Sequence, residues 1–170
     1  FSQKHILGEC IVNQPGSFWR RASMEKVGLL DESLRYALDY DYWIRFALNG
    51  AKFKRIDKTV AHFRISRKSK TVAETAAHAY ETLKVLGLYE SFPGLETVCQ
   101  MTESELRYQA RKTRARMHLQ AFYGEIKQGN SSRALHQLLS ALKNDPGSIL
   151  ERRWLALGLA SIQRRLPKRY

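Results

Sequence analysis

The sequence predicts an α/β segment that is followed by an all-helical segment, with the change of class near residue 71. In the first 70 residues, short stretches with alternating polar and apolar side chains lie between turn residues, which is typical of strands. A helical spacing of apolar residues interrupts these stretches once. After residue 70, Ser/Thr-x-x-Glu capping boxes recur and indicate successive helices. The predicted units are residues 1–71 and residues 72–170.

Extended segments are predicted where polar and apolar residues alternate, or where a short apolar run lies between turn residues. The clearest is the run from Thr59 to Ile65, in which odd-numbered residues face one way and even-numbered residues face the other. Pro15-Gly16 and Gly28 mark turns. The predicted extended segments are residues 9–14, 17–20, 51–56 and 59–65.

Helices are predicted from apolar spacing and from capping signals. Trp43, Phe46 and Ala47 share one face of a helix over residues 39–48, and Asn49-Gly50 is a typical helix end. Capping boxes begin at Thr71, Thr102 and Ser148. The helices predicted after residue 71 cover residues 72–88, 103–128, 131–144 and 149–165.

The composition is that of a soluble, core-forming protein with a strong excess of positive charge. The formal net charge is +13, of which residues 1–99 carry +4 and residues 100–170 carry +9. Such an excess attracts polyanions. The apolar run from Trp154 to Ile162 has nine residues, which is too short for the ~20 that a transmembrane helix needs. Cys10 and Cys99 supply neither a disulfide framework nor a Cys-based zinc site, so a cytoplasmic location is expected.

Two carboxylates, Asp39 and Asp41, stand where the first predicted helix begins, among Tyr, Trp and Arg residues. An Asp at a helix N-terminus accepts free backbone N–H groups, which stabilises the helix by about 0.5–2 kcal/mol. Capping explains one carboxylate but not two with these neighbours. The pair is therefore a candidate functional site, with capping as the alternative.

Five motifs follow one another through the first segment. They are Gln14-Pro-Gly-Ser-Phe-Trp-Arg20, Gly28-Leu-Leu-Asp-Glu32, Tyr36-Ala-Leu-Asp-Tyr-Asp-Tyr-Trp-Ile-Arg45, Gly50-Ala51, and Ala61-His-Phe-Arg64 with Ser69-Lys-Thr71. Over residues 9–71 this series resembles the C-terminal half of the catalytic domain of bacterial family 2 glycosyltransferases. The resemblance implies a partial GT-A-type, nucleotide-diphospho-sugar transferase-like α/β fold. It also implies inverting transfer of a sugar from a nucleotide-diphospho-sugar to an acceptor hydroxyl, as in the synthesis of cell-surface polysaccharides.

The resemblance implies a role for each matching residue. Asp39 aligns with the catalytic base, which takes the proton of the acceptor hydroxyl, and a positioned base contributes about 10²–10⁴-fold to the rate. Asp41 and Arg45 would orient that base or contact substrate, although their i, i+4 spacing equally allows an ordinary ion pair. Gln14 and Ser17 match a segment beneath the donor sugar or the acceptor, and a simple Pro-Gly bend is the alternative.

Arg64 and Lys70 belong to a basic loop after the last predicted strand. In the family, a loop at this place closes over the nucleotide diphosphate, where cationic groups stabilise the leaving phosphates. A solvated run of charges is the alternative. Ser66 stands where many family members carry a histidine, so no role of that histidine is transferred to this chain.

The family binds its nucleotide in an N-terminal half that ends in an Asp-x-Asp metal motif, and no such motif stands upstream of Gln14. We therefore expect a fragment that lacks the donor-binding half and is inactive alone. A divalent Mg²⁺ or Mn²⁺ is expected in the full-length enzyme, with its ligands mostly outside this chain. The expected partners are a nucleotide-diphospho-sugar donor and a sugar or lipid-linked acceptor, with a peripheral contact at the inner face of an anionic membrane.

The alternative function is a basic helical binding module, without catalysis, for nucleic acid or for an anionic membrane or partner. Each cation near an anionic membrane contributes ~1 kcal/mol. Nucleic acid is the less favoured partner, because no recognisable nucleic-acid motif is present and the aromatic residues cluster around Asp39 and Asp41 rather than among the cations.

Overall fold

The structure is a computed structural model that describes residues 6–7, 12–62 and 70–150. All of its regular secondary structure in these ranges is helical. The elements are α1 (Arg21–Val27), α2 (Leu38–Leu48), α3 (Lys70–Ala73), α4 (Thr75–Tyr89), α5 (Leu95–Cys99), α6 (Glu103–Gln128), α7 (Ser131–Asn144) and a 3₁₀ helix at Pro146–Leu150.

The predicted α/β class is wrong for these residues, which form no β-strand and hence no partial GT-A-type sheet. Residues 17–20, 51–56 and 59–62 are irregular, although strands were expected there. Residues 9–11 and 63–65 of the expected strands, and residues 151–165 of the last expected helix, lie outside the described residues. The alternating pattern was misleading because it predicts which side chains are buried, whereas a strand also needs a neighbour to pair its backbone groups.

Residues 51–54 show this distinction directly. Ala51 and Phe53 are partly buried against the core, and Lys52 and Lys54 are exposed, as the alternation requires. The backbone around them is nevertheless not assigned to a strand. The segment therefore packs on the helical core without being part of a strand.

The helices that lie within the described ranges are confirmed with closely matching bounds. The expected helix over 39–48 is α2, and Gly50 after it has a φ of 74°, a left-handed conformation that suits glycine. The helix expected over 72–88 is divided between α3 and α4, which meet at Glu74. The expected capping box at α6 is present, since Thr102 and Glu105 exchange side chain to backbone hydrogen bonds.

Helix α2 lies at the centre of the hydrophobic core. Its buried side chains include Trp43, Ile44 and Phe46, and they belong to the same cluster as Leu86 of α4 and Leu95 of α5. Side chains from before and after residue 71 therefore form one continuous core.

Helices α6 and α7 form a hairpin, and α4 packs against α6. Helices α4 and α6 approach each other closely at Gly124 of α6, where an added Cβ would lie 2.6 Å from the Cβ of Ala76 in α4. The neighbouring Glu125 is buried, and its carboxylate accepts hydrogen bonds from Tyr80 Oη at 2.7 Å and from Asn130 Nδ2 at 2.8 Å. Helix α4 is thereby fixed between α2 on one side and α6 on the other.

Candidate functional site

Asp39 lies in the first turn of α2 and is half-buried. Its Oδ1 accepts a hydrogen bond from the backbone N–H of Tyr40 at 2.8 Å. Burial raises the pKa of the Asp39 carboxyl, because it disfavours the charged form more than the backbone hydrogen bonds and the nearby His78 favour it. The carboxylate is therefore only partly exposed to solvent, and its hydrogen bonds do not fully offset the cost of burying its charge.

Three polar residues at the start of α4 lie near the N-terminal end of α2. They are the N-cap Glu74 and the helical residues His78 and Glu81, which we call the α4 polar row, and their i, i+4, i+7 spacing suits one side of the helix. The Glu81 carboxylate accepts hydrogen bonds from the backbone N–H groups of Arg35 at 2.9 Å, of Ala37 at 2.7 Å and of Tyr36 between them. The residues just before α2 thus receive their hydrogen-bond acceptors from a different helix.

Two further contacts complete this arrangement. The hydroxyl of Tyr36 donates to the carboxylate of Glu74. Burial opposes ionisation of Glu81, but the three backbone N–H groups and Lys84 outweigh it and hold the pKa of Glu81 below its usual value. Glu81 therefore acts as an ionised clamp between α4 and the start of α2.

His78 occupies the centre of the α4 polar row and is half-buried. Burial lowers the pKa of its imidazole, and the negative charges of Asp39 and Glu81 oppose that effect. The imidazole also contacts α6, because its Nδ1 lies 3.4 Å from Nε2 of Gln120. A carboxyl with a raised pKa and an imidazole with a lowered pKa therefore influence each other across the contact between α2 and α4.

Asp41 is buried and fully engaged within the protein. Arg45 donates through Nε to Asp41 Oδ2 at 2.8 Å, and Tyr89 of α4 donates through Oη to Oδ1 at 2.6 Å. Arg45 also donates to the carbonyl oxygens of Val27 and Leu29 and lies over the ring of Tyr42. The ordinary ion pair that the spacing allowed is thus formed, and its two residues link α2 to α4, to the last residue of α1 and to the loop after α1.

Trp19 closes the aromatic face of α2 and remains about half exposed. Its ring centroid lies 5.9 Å from that of Tyr42, 5.7 Å from that of Trp43 and 6.3 Å from that of Phe46. Residues 39, 43 and 46 follow helical spacing and therefore share one face of α2. Asp39 lies on this face at the N-terminal end of the helix, and Trp43 and Phe46 follow it.

Gln14, Ser17 and Lys70, the other predicted substrate contacts in the described ranges, are not joined to Asp39 by any described hydrogen bond or ion pair. Gln14 and Ser17 lie on a turn in which the backbone N–H of Ser17 donates to Gln14 O at 3.2 Å. Lys70 is exposed at the start of α3. Arg64 lies outside the described residues. The structure therefore joins Asp41 to Arg45 and places Asp39 on a different side of α2, and the contacts of these residues to substrate stay predictions.

The contribution of α4 was not predicted. His78, Glu81 and Tyr89 lie 39 or more positions after their partners in α2 and the loop before it, so no local spacing connected them. A signal was nevertheless present, since the N-cap and first turns of α4 carry the polar row beside a buried face that includes Ala76, Ala79 and Val85. A helix with both faces patterned in this way packs on two sides.

The described part of the chain holds no group of three or more His, Cys, Asp and Glu residues placed to bind a metal ion. Within the same residues, no helix is both long enough and apolar enough to cross a membrane. Comparison of the chain with protein-family models, with curated proteins and with solved structures gives no match.

Proposed function

We propose that this chain supplies the acceptor side of a sugar transfer reaction, as part of an inverting transferase of the family 2 class, with Asp39 as the general base. The observation that carries the proposal is the half-buried Asp39 carboxylate at the N-terminal end of α2, within the series of motifs from Gln14 to Thr71. The proposal rests on these residues and not on a GT-A-type sheet.

The chemistry requires a carboxylate that is ionised at neutral pH and still has a useful affinity for a proton. A sugar hydroxyl attacks an anomeric carbon only when its proton has an acceptor, and a base works best when its pKa approaches the working pH. Burial moves the pKa of Asp39 in that direction. Asp41, by contrast, has Arg45 and Tyr89 as partners inside the protein, which suits a residue that orients the start of α2.

The donor side belongs, in this proposal, to residues other than those described. The nucleotide-diphospho-sugar and a divalent Mg²⁺ or Mn²⁺ would be bound by a donor-binding part that this chain does not supply. We therefore expect the 170-residue chain alone to give no sugar transfer. Transfer by the isolated chain would contradict this division of the reaction.

The test is the Asp39→Asn variant in the longest natural protein that contains this sequence, assayed with a panel of nucleotide-diphospho-sugars. We expect kcat to fall by about 10²–10⁴-fold, because the acceptor proton then has no base. The matched control is Asp57→Asn, which removes an exposed carboxylate that forms an ion pair with Arg55 at the surface. Near-normal turnover of Asp39→Asn would exclude Asp39 as the base.

A second candidate function is binding to an anionic membrane surface. Between Leu106 and Asn144, the one acidic residue is Glu125, and it is buried. Arg111, Arg133 and Lys143 are exposed on the same two helices. The described surface of α6 and α7 therefore presents positive charge that no acidic side chain of that stretch offsets at the surface.

Vesicle co-sedimentation tests this second candidate. Binding to vesicles that contain phosphatidylserine should weaken as salt rises and should be absent with phosphatidylcholine alone, because the attraction is screened over about 10 Å at 0.1 M salt. The double variant Arg111→Glu/Arg133→Glu should bind more weakly than the unmodified chain. Equal binding to both kinds of vesicle would count against a charge-driven contact.

A further inference from the structure

We propose that Leu135 and Leu139 of α7 insert into the interface of an anionic phospholipid membrane and anchor the chain there. The inference deepens the second candidate function and rests on it. Charge attracts a protein to such a surface, whereas buried apolar side chains add an attraction that salt does not screen. The inference assigns this second attraction to one face of one helix.

The first support is the exposure of two neighbouring leucines on α7. Leu135 and Leu139 are each 57% exposed, and because they are four residues apart they lie next to each other on one face of the helix. The buried residues of α7 are instead small or polar, namely Ala134, Gln137 and Ala141. A surface helix that only packs on its neighbour carries its large apolar residues inward and polar residues outward. Helix α7 departs from that pattern at these two leucines.

The second support is the charge on the same helix. Helix α7 contains no acidic residue, and Arg133 and Lys143 are exposed near its two ends. Lys143 follows Leu139 by four residues and so continues the row of the two leucines along the helix. Long cationic side chains can lay their methylene groups on an apolar surface while the charged end reaches a lipid phosphate. The leucines and the cations are therefore placed to contact the two layers of a membrane interface together.

The size of the apolar face favours a lipid surface over a protein partner. Leu135 and Leu139 are the exposed large apolar residues of α7, and a stable protein interface buries about 800 Å² on each partner. Two leucine side chains supply a small part of that area. A membrane interface requires no matching surface, because each apolar group that enters it contributes by itself. Together with the cations, the two leucines thus suit anionic lipid as their partner.

The test is co-sedimentation of the 170-residue chain with vesicles that contain phosphatidylserine, over a series of salt concentrations. The variant Leu135→Gln/Leu139→Gln should bind about 10-fold more weakly, because two apolar side chains no longer leave water. The matched control is Leu29→Gln/Leu88→Gln, which changes two leucines that are 75% and 61% exposed outside α7. This control should bind as the unmodified chain does. Circular dichroism verifies that each variant is folded.

The salt dependence separates the leucines from the cations. Replacing the two leucines should lower the affinity by the same factor at every salt concentration, because apolar burial is not screened. Replacing cations, as in Arg111→Glu/Arg133→Glu, should instead make the affinity depend less on salt. If the glutamine variant is unstable, Leu135→Ala/Leu139→Ala tests the same point, because alanine is the best helix former.

The outcomes separate this inference from the function on which it rests. If the unmodified chain binds in a salt-dependent manner and the leucine variant binds equally well, the inference is wrong and the charge-driven contact stands. If the unmodified chain does not bind these vesicles at all, both are wrong. An equal loss in the control variant would also overturn the inference, since the effect would not belong to α7.

A second copy of the chain is the competing occupant of this face. Sedimentation velocity without vesicles tests it, and we expect the unmodified chain and the leucine variant to have the same mass. An unmodified chain that is dimeric, with a monomeric leucine variant, would show that the leucines face another copy and would overturn the inference.

Discussion

At the residue scale, Asp39 and Asp41 show how two positions on one helix acquire different properties. Residues two apart in a helix do not share a face. Asp41 is buried and accepts hydrogen bonds from Arg45 and Tyr89, whereas Asp39 is half-buried and accepts one from the backbone N–H of Tyr40. The first arrangement stabilises a fold, and the second leaves a carboxylate available.

Asp41→Asn should destabilise the folded chain by about 2–4 kcal/mol, because it removes the charge that the largely buried Arg45 requires. Urea unfolding followed by circular dichroism measures this change. Asp57→Asn, at an exposed pair with Arg55, should cost less than about 1 kcal/mol. A similar small effect of both variants would mean that the Asp41 network contributes little.

Asp39→Asn should have the opposite effect on stability. Since burial raises the pKa of Asp39 above its ordinary value of 3.8, the folded state binds a proton more tightly than the unfolded state does. Asp39 therefore favours folding at acid pH, and this contribution is lost as the pH rises through the folded-state pKa. We expect Asp39→Asn to raise the melting temperature at pH 7 and to match the unmodified chain near pH 3, measured by differential scanning calorimetry. A lower melting temperature at pH 7 would indicate that capping outweighs burial.

The residue-scale features could be predicted only in part. The ion pair between Asp41 and Arg45 follows from their spacing, and the burial of Trp43 follows from its position beside Phe46 and Ala47. The partners Tyr89 and His78 could not be predicted, because nothing in the local sequence states which helix will pack against the start of α2.

At the element scale, α4 is the helix that connects the site to the rest of the molecule. Its apolar face enters the core, its polar row contacts the start of α2, and Ala76 touches α6 at Gly124. The bounds of the helices were predictable because caps and glycines act locally. The expected strands failed because strand pairing is non-local, and alternating side chains such as those of residues 51–54 also suit a segment that packs on a helical core.

Two glycine variants give a matched test of the contact between α4 and α6. Gly124→Ala should destabilise the chain by about 1–3 kcal/mol, because the new Cβ meets the backbone of Ala76 and the helices must separate. Gly87→Ala lies in α4 with no atom within 4 Å of the added Cβ, so it should stabilise the helix by up to about 1 kcal/mol. Urea unfolding of both variants measures the difference, and equal effects would contradict the close approach.

At the scale of the whole molecule, the hydrophobic core joins the two predicted units. Leu34 and Ile44 come from before residue 71, and Val85, Leu95 and Leu106 come from after it. Neither part can bury these side chains without the other. The composition predicted a core-forming chain, but it gave no indication that the core would cross the expected boundary.

We therefore expect a single cooperative unfolding transition. In a Trp154→Phe variant, fluorescence reports Trp19 and Trp43 near α2, while far-ultraviolet circular dichroism is dominated by long helices such as α6. The two probes should give the same midpoint in urea, because their elements share one core. Separate midpoints would show that the parts unfold independently.

The clamp between Glu81 and the backbone of residues 35–37 has a consequence for protein engineering. A chimera that joins residues 1–71 to the tail of another protein would lose this acceptor. Grafts of residues 1–71 should therefore place the crossover after Tyr89, so that the whole of α4 is transferred with the segment it contacts.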